Sequence, residues 1–335
     1  MAVKRAAVVG SGSAGSLHAS SLRRRDPRME IIVVRRPTST QPLERMLALE
    51  VELVSSIDEA VALEPVVAVI AGPASTHRHD AEALASVGTH LLVEKPLATT
   101  SDEGRRLVAS ANFGGSRLVV GYHLRYSSTV PALAALVRNG AIGIPSSFSL
   151  RVGQHLSQWR PGADPRRSVT ARQELGGGVL LELSHELDGL RFMLGDISSC
   201  SARLRRDGAP TDGLVDTVAD LEIELASGIR GQVHLDMVSE VPFRTWTVTG
   251  SEGSLTADLL DGTITRLGSP NAGVGEVLHR SAPGERDLAE ANLIDNFIEV
   301  AEGRGEPLCT GADGIAVLDV IEAALASEQE RTSLA

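Results

Sequence analysis

Short, uniformly apolar runs alternate with longer mixed stretches at the start of the chain. Residues 3–9 (VKRAAVV), 31–34 (IIVV), 51–54, 66–71, 91–93 and 118–120 read as strands. The stretches 14–25, 42–50, 57–63, 79–87 and 101–111 between them read as helices. Strands apolar on both faces, separated by helices, predict a parallel sheet covered on both sides. Past residue 122 the period changes. Residues 220–225 (DLEIEL) and 229–237 alternate polar with apolar around the turn Ala226-Ser227-Gly228, and 243–249, 254–259 and 262–267 continue in short strands. That pattern predicts an antiparallel meander with one covered face and one polar face. Two amphipathic helices, 287–302 and 312–327, close the chain, and Thr310 with Asp313 forms a capping box for the second. The predicted architecture is α/β: a doubly wound dinucleotide-binding domain over 1–122, then an α+β domain over 123–335 with an open, mainly antiparallel sheet.

Composition narrows the function. Hydrophobic residues make up 42% of the 335 and charged residues 22%, a globular profile. No apolar run approaches the length of a membrane span, and the N-terminus has no secretory pattern. Cys200 and Cys309 are the only cysteines, too few for a disulfide framework or a thiolate metal site, which fits a reducing cytoplasm. A net charge of −11 is the wrong sign for a phosphate-backbone binder, and nine aromatics leave little to stack on bases. The charge is uneven: residues 1–120 carry net +1 and residues 121–335 net −12, as expected of two differently built domains.

Gly10-Ser11-Gly12-Ser13-Ala14-Gly15 lies directly between the first strand and the first helix. In that context the spacing predicts a pyrophosphate cradle: Gly10 for the tight turn, Gly12 for close backbone approach, Gly15 for helix–strand packing, and unpaired helix N–H groups facing the anion. About twenty residues on, where a carboxylate would hold the ribose hydroxyls of NAD, stand Arg35 and Arg36. Two guanidinium groups suit a 2′-phosphate, so NADP is favoured over NAD. The plainer reading makes them solvated residues stacked on the adenine.

Of 32 basic residues only Lys4 and Lys95 are lysines. Lys95 follows the apolar run 91–93, at the strand end where such sheets place their ligands. A lysine retained there in an arginine-rich chain marks a position where a compact, tunable ammonium matters. The alternative is a surface ion pair. The Lys95–Pro96 bond is a candidate cis peptide.

With these residues in view, the chain resembles the glucose–fructose oxidoreductase / myo-inositol dehydrogenase (Gfo/Idh/MocA) family. The likeness runs through VVGSGSAGSLH at 9–18, the segment 72–100 with its Glu94-Lys95-Pro96, GYHLRYSSTVPAL at 121–133, GGGVLLELSHELDGLRFMLG at 176–195, and 307–327. It implies an NAD(P)-dependent oxidoreductase acting on a carbinol or carbonyl of a sugar, sugar acid or nucleotide-linked sugar. It further implies a cofactor held by Gly10, Ser11, Gly12, Ser13, Ala14, Gly15, Arg35, Arg36, Gly72, Pro73, His77, Glu94, Lys95 and His123. Lys95 and His185 would be the catalytic pair, with His185 as general acid/base. Tyr122, Arg125, Trp159, Arg160, Glu182 and Asp188 would line the substrate side, and a homodimer or homotetramer would form through the sheet.

One departure from the family pattern stands out. The usual acidic residue four positions before the histidine is Leu181 here, and Glu182 lies three before. An i, i+3 pair still meets on a helix, so Glu182, or else Asp188, would orient His185. Residues 151–174 carry five arginines against Asp164 and Glu174, a local excess that fits an anionic ligand or a solvated loop. His77-Arg78-His79 lacks a third ligand, so no metal is expected. The competing reading is a catalytically silent dinucleotide-binding regulator of the same fold.

Overall fold

The computed structural model describes residues 4–37, 39, 43–160, 162–268 and 275–333. The chain forms two compact units, one of residues 1–123 with 287–318, the other of 124–286 with 319–335. The sequence pattern divides the chain after residue 122; the first compact unit runs to His123, and the chain later returns to it over 287–318. That return is a contact between remote segments, which no local pattern announces.

The first unit is a six-stranded parallel sheet. Its strands are β1 (Arg5–Val9), β2 (Glu30–Val34), β3 (Glu52–Val54), β4 (Val67–Ile70), β5 (His90–Val93) and β6 (Leu118–Val120), in the order β3-β2-β1-β4-β5-β6. Helices α1 (Ser13–Arg25), α2 (Glu44–Leu47), α3 (Ile57–Ala62), α4 (Ala74–Ala85) and α5 (Ser101–Phe113) connect them. Ala6–Val9, Val67–Ile70 and Leu91–Val93 are fully buried, as strands covered on both faces require. Ser56 and Thr100 cap α3 and α5, each accepting from the backbone N–H three residues on. Helix α4 starts at Ala74, five residues before the predicted start. Its first two turns are too polar to show an apolar stripe, yet His77 and Asp80 in them are buried. Val3 and Pro42, which open a predicted strand and a predicted helix, lie outside the described residues.

The second unit begins with α6 (Thr129–Arg138), β7 (Pro145–Gly153), α7 (Val179–Glu182) and α8 (His185–Leu194). Strands β8 (Ile197–Arg205), β9 (Val218–Leu225), β10 (Arg230–Asp236), β11 (Phe243–Gly250), β12 (Gly253–Asp258), β13 (Thr263–Leu267) and β14 (Glu276–Arg280) follow. With β7 they form one sheet in the order β14-β13-β12-β11-β7-β10-β9-β8, antiparallel except where β7 and β10 run parallel. The inward positions Leu150, Leu221, Val233, Trp246 and Val248 are buried, while Glu222, Gln232 and Thr249 between them are exposed. Helix α8 lies against this inner face: a Cβ at Gly189 would sit 2.0 Å from the Trp246 ring. The last two helices are α9 (Glu285–Ala301) and α10 (Gly311–Ser333). Thr310 and Asp313 cap α10 reciprocally, side chain to backbone N–H in both directions, as the sequence predicts.

Candidate active site

The phosphate loop fits a pyrophosphate. Gly12 is the N-cap of α1, which has no side-chain cap and no acidic residue in its first turn. A Cβ at Gly12 would meet nothing within 4 Å, leaving that side of the loop open to a ligand. A Cβ at Gly15 would strike the Gly10 carbonyl oxygen at 2.0 Å, and Gly10 has φ +111°, so neither position accepts another residue without strain. An uncompensated helix N-terminus behind an open glycine is the arrangement that favours an anion.

The two arginines after β2 part company. Arg36 donates to Asp80 Oδ1 on α4 at 2.5 Å, and Asp80 is fully buried. Arg35 donates to the Ser39 carbonyl, and the Ser39 and Ser11 hydroxyls lie 3.3 Å apart. Sequence reasoning treated the pair as equivalent and missed Asp80, whose partner is 44 residues away.

His77 braces two loops. Its Nδ1 lies 2.9 Å from the Pro96 carbonyl oxygen and its Nε2 3.0 Å from that of Gly72. Burial pushes its pKa down against the pull of both carbonyls, so the ring is neutral at physiological pH and one nitrogen donates at a time. The ring thus joins the Gly72-Pro73 turn to the turn after β5, where the Lys95–Pro96 bond is cis.

Lys95 is positioned by its neighbour. Glu94 Oε2 accepts the Lys95 backbone N–H at 3.0 Å, and Glu94 Oε1 lies 2.6 Å from His18 Nε2 on α1. Burial alone would raise the Glu94 carboxyl. The His18 hydrogen bond and charge, with Lys95 and His123 nearby, outweigh burial and hold it at about 2. Tyr122 is fully buried, and His123 Nδ1 lies 3.5 Å from Glu290 Oε1 on α9. The sequence reading missed His18 and Glu290. His18 stands three residues past Gly15 in the quoted motif, whereas nothing local marks Glu290.

In the second unit His185 is buried at the first position of α8. The predicted single helix through 182–185 is interrupted at Leu183 and Ser184, between Glu182 and His185. Glu182 accepts from Thr170 Oγ1 at 3.0 Å. Asp188 accepts from Arg125 through both carboxylate oxygens, at 2.9 and 2.7 Å, and both side chains are buried. Glu186 receives Arg244 through both carboxylate oxygens and also the Trp246 Nε1–H. Trp159 donates to the Gln154 carbonyl, and Arg160 is exposed.

Two family models cover most of the chain. Residues 4–122 match the "Oxidoreductase family, NAD-binding Rossmann fold" and residues 130–256 match the "GFO/IDH/MocA C-terminal domain". The chain belongs to the Gfo/Idh/MocA family. Among curated members it is 31% identical over 275 residues to 1,5-anhydro-D-fructose reductase of Ensifer adhaerens, spanning 78% of this chain and 77% of the relative. It is 22% identical over 334 residues to inositol 2-dehydrogenase of Rhizobium meliloti (strain 1021), spanning 98% and 97%. Among solved structures, GenD2 from gentamicin A biosynthesis, in complex with NAD, superposes with a TM-score of 0.80 at 26% identity over 98% of this chain and 95% of that one. This Gfo/Idh/MocA member is an NAD(P)-dependent oxidoreductase acting on CH–OH groups. Among its described residues no helix is long and apolar enough to cross a membrane.

Proposed function

We propose that the enzyme oxidises a secondary carbinol of a sugar or nucleotide-linked sugar, or runs the reverse reduction, with NADP favoured over NAD. The observation that carries this reading is the placement of Lys95: the ammonium-bearing residue follows β5, its backbone gripped by a carboxylate that is itself anchored to α1. When bound, the nicotinamide supplies the two-electron step. The protein supplies a charge and a proton path. Lys95 polarises the substrate oxygen and stabilises alkoxide character, and His185 takes or returns the hydroxyl proton. Arg35 supports the cofactor preference. Arg36 is offset by Asp80, so Arg35, with the hydroxyls of Ser11 and Ser39, is the group that would meet a 2′-phosphate, and no carboxylate follows β2 to hold a bare ribose.

The arginines of 151–172 favour an anionic substrate; among them Arg166 and Arg167 are exposed, while Arg172 pairs with Glu174. Deuteride transfer from C4-labelled NADPH or NADH to a panel of keto-sugars, nucleotide sugars and inositol ketones tests the reading. Label is expected in the sugar, moving at least tenfold faster from NADPH. No transfer to any of them would sink the proposal, and faster transfer from NADH would reverse the cofactor preference. We also infer a homodimer or homotetramer joined through the polar face of the second sheet. Light scattering should return two or four chain masses; a monomer would overturn that inference.

A further inference from the structure

Four ionisable side chains from four separate segments converge beneath the Lys95 turn, all inside the nucleotide-binding unit. His18 comes from α1, Glu94 from the turn after β5, His123 from the turn after β6 and Glu290 from α9. Donor atoms of His18, Glu94 and Glu290 lie within 4.8 Å of one another, and His18 and Glu290 are 1% and 4% exposed. Two carboxylates this close in a buried setting stay ionised only if positive charge stands with them. His18, 2.6 Å from Glu94, is placed to carry that charge, and His123 stands beside Glu290.

We infer that Glu290 is a positioning residue for the reaction: its charge keeps His18 protonated, protonated His18 keeps Glu94 fixed as a carboxylate, and Glu94 holds the Lys95 backbone. The inference rests on the reading of Lys95 given above. Burial alone would lower the His18 pKa, but the Glu94 hydrogen bond and charge, together with the Glu290 charge, raise it above 6.5. The groups bearing on the pair are thus Glu94 and Glu290 on His18, and His18, Lys95 and His123 on Glu94. A raised folded value means that the ion pair is intact below pH 6.5 and is lost as pH rises through the folded pKa of His18. Removing the Glu290 charge moves that loss to lower pH.

The test follows the imidazole resonances of histidine-labelled full-length protein by NMR, with the His18 signal assigned from His18→Gln. The His18 midpoint is expected above 6.5 in the unmodified protein and at least half a pH unit lower in Glu290→Gln. Glu290→Asp, which keeps the charge one methylene further back, should return most of the shift. It also serves as the second variant if Glu290→Gln does not fold, with a smaller displacement expected. In turnover assays the high-pH limb of kcat should move to lower pH with the NMR midpoint, while KM for the sugar changes less than twofold. A purely structural role would lower kcat evenly across pH. An unmoved His18 midpoint in both variants overturns the proposal, as does a midpoint that moves while the kcat profile stays put. If the unmodified protein reduces no sugar, the reading of Lys95 fails, whereas the NMR midpoints still decide whether Glu290 controls His18.

Discussion

Lys95→Ala is expected to lower kcat by a factor on the order of 10²–10³, the scale of removing one electrostatic stabiliser of a developing oxyanion. NADPH affinity, followed by fluorescence titration, should change little. The expectation of such a clean split comes from the way the turn is built. Glu94 holds the Lys95 backbone N–H, an anchor that alanine keeps when it deletes the ammonium. Lys95→Arg should not restore turnover, because a planar, strongly delocalised guanidinium cannot take the place of a compact ammonium at a reacting oxygen. A kcat for Lys95→Ala within threefold of the unmodified enzyme would remove Lys95 from the chemistry.

The second large effect is on stability. Arg125 and Asp188 form a two-pronged pair with side chains 5% and 1% exposed, and the Arg125 guanidinium also lies 5.2 Å from the centre of the Phe192 ring. Asp188→Ala leaves a buried cation uncompensated, which costs about 3–5 kcal/mol. For a unit of this size that lowers Tm by roughly 10 °C, at ~2–4 °C per kcal/mol. Replacing both partners by apolar residues of similar volume should recover most of the loss, since a buried pair offsets its own desolvation only in part. Thermal unfolding of the single and double variants checks this. Equal loss in both would mean that shape, and not charge, is what the pair contributes. The sequence reading placed both residues on the substrate side; their mutual bonds show how α8, the helix carrying His185, is tied to the segment after Tyr122.

The parts of the site written in consecutive residues were legible from the start. The glycine loop, the lone lysine behind β5 and the capping box of α10 each depend on geometry set within a few positions. Strand periodicity separated the parallel from the antiparallel half for the same reason. The break between α7 and α8 was not legible, because Leu183 and Ser184 have ordinary helix propensities and tertiary contacts override such weak preferences.

The sequence by itself therefore determined the fold class, the glycine loop between β1 and α1 and the identity of the lysine that follows β5. Only the tertiary structure decided which charges meet. Arg36 finds Asp80, Arg125 finds Asp188, and His18 stands with Glu94 and Glu290 across hundreds of residues of chain. Backbone hydrogen bonding and hydrophobic periodicity repeat locally and so leave a signature along the chain. A buried ion pair leaves none, because its partners are chosen by where the packed elements bring them.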